Sequence, residues 1–243
     1  YPIDTEAIRT FEEILWKDMP GNLIPPGFYT ADEQEVFRIS SKSHWDIPIE
    51  ILGTHFHFLV SHPTPPVFDG AEDRNGRRNH DEIRLWADYL TPGSAGYLSG
   101  GLEEGERFVI AGDQNADPTK GDSLNAAINQ LLDHPRVSGE FVPSRTGTTT
   151  ASNRFDTATF RLRADYVLPS NEGFQIEDGA VYWPTGSQEG ASLVTVSDHR
   201  LVYLDLKLVP LIDEVVQDLS VENFDQKLVF HWKAKSEVSY RLE

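Results

Sequence analysis

The spacing of apolar residues changes period several times along this 243-residue chain, and that change constrains the fold more than any other feature. From Trp45 the period is two: Ile47, Ile49 and Ile51 alternate with Pro48, Glu50 and Leu52, Gly53 interrupts, and 54-THFHFLVSH-62 resumes with Phe56, Phe58 and Val60 in phase. Alternation puts every second side chain on one face of a sheet, so this stretch reads as two successive, paired strands. Over 81–90 the spacing becomes helical, with Ile83, Trp86 and Leu90 on one face and Asp81 and Glu82 favourably placed near the amino end. The pattern then repeats in kind: a strand over 107-RFVIAG-112, then a helix over 122-DSLNAAINQLL-132, capped by Asp122 and turning Leu124, Ile128 and Leu131 inward. Further strands fit 158-ATFRLRADYVL-168, 193-LVTV-196 and 200-RLVYLDLKL-208. Strands interleaved with helices indicate α/β layering rather than an all-β sandwich.

The intervening segments are less decided. Residues 4–16 fit a helix or a strand equally, 20-PGNLIPPGFY-29 must be a loop, and 32-DEQEVFRIS-40 fits a short helix. The polar stretch 63-PTPPVFDGAEDRNGRRN-79 reads as a long loop, a kind that is usually functional or disordered. After Pro210 only short alternating runs remain, so a domain is expected over 1–210 and a β-rich appendage, the start of a second module, over 211–243. The appendage faintly resembles the opening strands of a fibronectin-type sandwich.

Composition narrows the chemistry. With no Cys, thiolate metal sites, Cys nucleophiles and disulfides are excluded. A count of 39 Asp and Glu against 21 Lys and Arg gives a formal net charge of -18, which disfavours tight, sequence-blind binding to nucleic acid while leaving room for a local phosphate site. No run approaches the roughly 18–20 apolar residues of a membrane span. The chain opens Tyr1-Pro2-Ile3 without an initiator Met, and an acidic, Cys-free chain with one Met tolerates an oxidising exterior. A secreted or periplasmic location is the expectation.

Four polar clusters sit at strand ends: Ser61-His62, Gly112-Asp113-Gln114-Asn115, Asp165-Tyr166 and Ser197-Asp198-His199. Each alone reads as a turn or a structural side chain. Together, in one α/β chain, they mark a candidate site. The runs 61-SHPTP-65, 112-GDQNADP-118, 165-DYVL-168 and 197-SDHR-200 resemble, in order, motifs of the endonuclease/exonuclease/phosphatase superfamily.

That resemblance implies a four-layer α/β/β/α sandwich of two mostly antiparallel sheets flanked by helices, here without its first strands. It also implies metal-dependent hydrolysis of a phosphate ester, by a phosphodiesterase, phosphatase or nuclease, with Mg²⁺, Mn²⁺ or Ca²⁺ as cofactor. In that frame Asp113 positions the nucleophilic water and approaches the metal, Asn115 contacts the phosphate, and Asp198 is the metal-linked carboxylate. His199 is the general base or phosphate-binding His, Asp165 the carboxylate that bonds it, and His62 a donor to a phosphate oxygen. The roles agree with the chemistry: hard oxygen ligands suit Mg²⁺, and phosphoryl transfer needs charge stabilisation and an oriented water. The family's earlier Asn and metal-binding Glu have no match, so an incomplete metal site is expected, with Asp46 the nearest substitute.

Two competitors draw on other residues. His55 and His57, with 79-NHD-81 and Gly112-Asp113, imitate a calcineurin-like metallophosphoesterase in reversed order. A catalytically incomplete binding module is the non-enzymatic alternative. Arg77 and Arg78, in the polar stretch, are candidates for a substrate-phosphate clamp, because guanidinium forks match phosphate geometry.

Overall fold

A computed structural model describes residues 3–51, 53–210, 216–224 and 227–234. Its strands are β1 (Arg9–Thr10), β2 (His44–Ile51), β3 (Thr54–Ser61), β4 (Phe108–Asp113), β5 (Ser144–Arg145), β6 (Asp165–Pro169), β7 (Phe174–Tyr182), β8 (Leu201–Leu208), β9 (Val216–Phe224) and β10 (Lys227–Ala234). The α-helices are α1 (Ala31–Gln34), α2 (Arg74–Leu90) and α3 (Asn129–Leu132).

The first sheet has the order β1-β2-β3-β4-β6 and the second β5-β7-β8. Both are mixed: β3 and β4 run parallel, as do β5 and β7, and the other neighbours are antiparallel. A parallel pair needs a crossover, and α2 supplies it between β3 and β4. One face of the first sheet packs on α2 and α3 through Leu59, Phe108, Ile110, Ile83, Trp86 and Leu131. Each large apolar side chain so buried contributes about 1.5–3 kcal/mol. The second sheet contacts the first where the Phe56 and Phe174 rings meet edge to face, 5.7 Å apart. Two mixed sheets flanked by few helices are the expected α/β sandwich.

The expected β2–β3 pair forms, with Ile47 opposite Phe58 and Ile49 opposite Phe56. Elsewhere the spacing misled. Helix α2 begins at Arg74, so Arg77 and Arg78 lie on a helix rather than in a loop, and Asp81 and Glu82 are mid-helix and buried. Its polar early turns are held by tertiary bonds: Arg78 Nε donates to the Ile39 carbonyl (3.1 Å), and Asn79 Nδ2 donates to the Thr64 (2.8 Å) and Gln114 (2.9 Å) carbonyls.

The helix expected over 122–132 breaks into a 3-10 turn and the single turn of α3, because Asn125 and Ala126 are left-handed. Ser123, not Asp122, precedes the turn, and its Oγ accepts from Ala127 N (3.2 Å). The expected strand over 193–196 is a 3-10 turn closed by Val196 N to Leu193 O, since a four-residue apolar run does not specify its period. Of the expected 158–168 strand only 165–168 belongs to a strand, β6, and Ala158 makes an isolated bridge to His199. Residues 32–40 yield α1 alone, with a capping box between Thr30 and Glu33. The appendage expected over 211–243 falls partly outside the described residues, and within it β9 and β10 pair antiparallel in a sheet of their own.

Candidate active site

The topology brings the separated polar clusters to one edge. Because β3 and β4 are parallel, with Val60 opposite Ala111, their carboxyl ends deliver His62 and Asp113 side by side. Because β6 is antiparallel to β4, its amino end places Asp165 directly opposite Asp113. An isolated bridge between Ala158 and His199 brings in His199, two residues before β8. Two clusters therefore follow strands and two precede them.

Gly112 makes the turn at the end of β4. Its φ is +142°, and a Cβ there would lie 2.0 Å from the Ser61 carbonyl oxygen. Asn115 follows in a left-handed conformation (φ 51°), with its N–H donating to Asp113 Oδ1 (2.8 Å) and its Nδ2 to the Pro63 carbonyl (3.1 Å). Beneath, Glu82 fastens two loops: one carboxylate oxygen accepts from Ser41 N and the other from Thr64 N, both at 2.6 Å.

The centre is Asp113 Oδ2, 3.3 Å from His62 Nε2 and 3.7 Å from His199 Nε2. His199 presents its other nitrogen, Nδ1, to Asp165 at 2.9 Å from Oδ2 and 3.1 Å from Oδ1. Thr157 Oγ1 donates to Asp165 Oδ2 (2.7 Å) while accepting from Ala164 N and Asp165 N, which fixes the carboxylate behind the ring.

Burial opposes the His199 imidazolium, but the bond to Asp165 and the charges of Asp165, Asp113 and Asp198 outweigh it and raise its pKa. Burial likewise raises Asp165, against the bonds from Thr157 and His199. His62 shifts the other way: burial and the Lys42 ammonium lower it, despite Asp113. Two histidines facing one carboxylate thus differ in proton affinity, which suits one to carry a proton and the other to stay neutral.

His62, Asp113 and His199 line a cleft of about 750 Å³ together with Asn115, Asp198, Lys42 and Lys120, and Asp165 stands behind it. Asp113, Asp165 and His199 each offer a ligand atom, all within 4.8 Å of one another. Asp198 is an exposed residue of the cleft wall outside that cluster. The hard carboxylate oxygens and the imidazole fit a divalent cation.

Not every expected residue arrives. Arg78 is bonded to the carbonyls of Arg38 and Ile39, Arg77 Nε to that of Glu72 (3.0 Å), and neither lines the cleft. Asp46 is buried elsewhere, accepting from Tyr89 OH (2.7 Å) and bonded to His57 Nδ1 (2.8 Å), so it does not complete the site. That bond also occupies His57, and His80 pairs with Asp81 (3.2 Å). Neither joins a cluster with Asp113 among the described residues, which removes the calcineurin-like arrangement.

The sequence reading missed Lys42 and Thr157. Lys42 Nζ donates to the Pro63 carbonyl (3.2 Å) at the cleft, and burial lowers its pKa against the pull of Glu82 and Asp113. Its only local signal is a cation two residues before His44 in an acidic chain.

The profile of the endonuclease/exonuclease/phosphatase family matches residues 1–199. The chain belongs to this family. The fold of an endonuclease/exonuclease/phosphatase from Beutenbergia cavernae superposes with a TM-score of 0.52 at 16% identity, covering 91% of this chain and 48% of that one. Sphingomyelinase C from Streptomyces griseocarneus matches with a TM-score of 0.37 and 17% identity over 72% of this chain and 56% of its own. A mannosyl-6-phosphatase from Bacteroides thetaiotaomicron gives 0.38 and 14% over 70% and 59%. The chain thus spans about half the length of the structures it matches. No curated protein sequence matches it. Among the described residues, no helix is long and apolar enough to cross a membrane.

Proposed function

We propose that this family member is a metal-dependent phosphoric ester hydrolase in which Asp113 and His199 assist attack of water on phosphorus. The observation that carries the reading is the position of Asp113 Oδ2, between His62 Nε2 and His199 Nε2, with Asp165 behind His199. Asp113 orients the attacking water and His199 takes its proton at Nε2, because Nδ1 is engaged by Asp165. Asn115 Nδ2 and His62 Nε2 hold phosphate oxygens, and Lys42 adds positive charge at the same wall. Asp113 and Asp198 would hold Mg²⁺, Mn²⁺ or Ca²⁺, which when bound polarises the phosphoryl oxygen. The net charge of -18 favours a small or lipid ester over nucleic acid as the substrate, and a secreted or periplasmic setting accords with the Cys-free composition.

A second reading is a binding module of the same fold, favoured by one observation. Asp165 is engaged by His199 and Thr157 and does not line the cleft, which leaves the expected metal carboxylates as Asp113 and the exposed Asp198. Incubation with a bis-aryl phosphodiester, an aryl phosphate and plasmid DNA, each with Mg²⁺, Mn²⁺ or Ca²⁺, separates the two. Turnover that is abolished in Asp113→Ala and His199→Ala, with circular dichroism unchanged, is the expected result. Turnover that persists in both variants would discard the assignment, and phosphate binding without turnover would leave the binding module.

A further inference from the structure

The cleft is not polar throughout. Pro65, Pro66, Val67 and Phe68, from the β3–α2 connection, line it together with Phe160 and Leu162, from the segment before β6. Phe68 is 91% exposed and Phe160 45% exposed. Large aromatics left in water next to a charged cluster call for a partner, because an exposed apolar patch beside a cleft marks a binding surface.

Both aromatics are held in place rather than left over from the core. Phe68 itself sits at φ +64°, a left-handed conformation that costs a non-glycine residue roughly 1 kcal/mol or more. The first turn of α2 pins it there: Asn75 Nδ2 donates to the Val67 carbonyl (2.7 Å), Asn75 N to Asp69 Oδ2 (2.6 Å), and Arg74 Nη2 to the Phe68 carbonyl (3.4 Å).

Phe160 is presented in the same manner. The next residue, Arg161, is left-handed at φ 69°, and its carbonyl accepts from Lys120 Nζ (2.8 Å). The Phe160 ring meets the His199 imidazole edge to face, 5.2 Å between centroids at 71°. An apolar surface therefore begins next to the imidazole that faces Asp113.

We propose that this cleft takes phosphate esters whose esterified group is apolar or aromatic, with that group against Val67, Phe68 and Phe160 and the phosphate at His62, Asn115 and Lys42. The proposal rests on the hydrolase reading for the placement of the phosphate and adds what lies beside it. A polar sugar or inositol ester would leave the wall in water and gain nothing from it. An alkyl or aryl group would bury the wall and its own surface together.

Phosphonates test this without turnover, because the carbon–phosphorus bond is not hydrolysed. Titration calorimetry of the full chain with Mg²⁺ would compare methylphosphonate, phenylphosphonate and hexylphosphonate. The phenyl and hexyl compounds are expected to bind about ten-fold or more tightly than methylphosphonate, a factor that modest apolar burial supplies. In Phe68→Ala/Phe160→Ala that ratio is expected to fall to within about two-fold, the exposure of both side chains making misfolding no obstacle.

Equal affinity for all three phosphonates would overturn the apolar wall and leave the phosphate site standing. No binding of any of them at millimolar concentration would remove the phosphate site and the wall with it. Co-sedimentation with phosphatidic acid vesicles distinguishes the source of the apolar group. Vesicle binding that is lost in the double variant marks a lipid ester, and hexylphosphonate binding without it marks a soluble one.

Discussion

Asp165, at the amino end of β6, lies directly opposite Asp113, at the carboxyl end of β4, and reaches past it to His199 Nδ1 at 2.9 Å. The pairing puts one carboxylate in the cleft and one behind the imidazole. Asp165→Asn keeps the shape and removes the charge. The His199 pKa, raised in the native chain, is expected to fall in this variant, because burial then acts against the imidazolium with less to oppose it. Histidine resonances followed by NMR through pH 5–9 measure it, and an unchanged midpoint would remove Asp165 as the group that sets it.

Glu82 acts below the site rather than in it. Its side chain is fully buried and takes two backbone N–H bonds from separate loops. Glu82→Ala leaves both donors unpaired, at a cost of about 2–4 kcal/mol. Glu82→Gln keeps an acceptor for one of them and is expected to recover part of that loss. Urea unfolding with a common slope measures both, and equal stability of Ala and native chains would contradict the fastening role.

The sequence conveyed the elements whose pattern is periodic or contiguous. The apolar residues of β2 and β3 recur with period two, which marks both as strands although burial does not follow that phase throughout, and 61-SH-62, 112-GDQN-115 and 197-SDH-199 are contiguous enough to read as motifs. The early turns of α2 look like loop because what stabilises Arg78 and Asn79 is distant carbonyls, not an apolar stripe. Strand β7 escaped notice because Glu177, Asp178 and Gly179 interrupt its alternation at a bulge opposite β8. Thr157 carries no local signal and Lys42 only that of a cation in an acidic chain: each gains its role from residues that the folded chain brings near.

His57 gives a pH dependence separate from the cleft. Burial would lower its pKa, but the bond and charge of Asp46 and the charge of Glu106 raise it, with Arg9 opposing from β1 and Tyr89 of α2 sharing Asp46. A raised folded value means that the native chain holds this proton more tightly than the unfolded chain does. The contribution is therefore fully present below the ordinary His value of about 6.5 and is lost as pH rises through the folded value. His57→Gln is expected to flatten the fall in melting temperature over that window, relative to the native chain. Melts from pH 5.5 to 8.5 check it, and parallel curves would refute it.

Gly112 and Gly53 both have positive φ, +142° and +77°, yet only one is confined. An added Cβ at Gly53 meets nothing within 4 Å, so Gly53→Ala bears only the backbone cost, about 1 kcal/mol. At Gly112 the same atom would lie 2.0 Å from the Ser61 carbonyl, a rigid backbone atom between two paired strands. Gly112→Ala must therefore part β3 from β4 where they deliver His62 and Asp113, and a loss of about 3 kcal/mol or more is expected. Urea midpoints of the two variants compare them on one scale. Equal losses would mean that conformation alone, and not the close approach of Ser61, requires glycine in this turn.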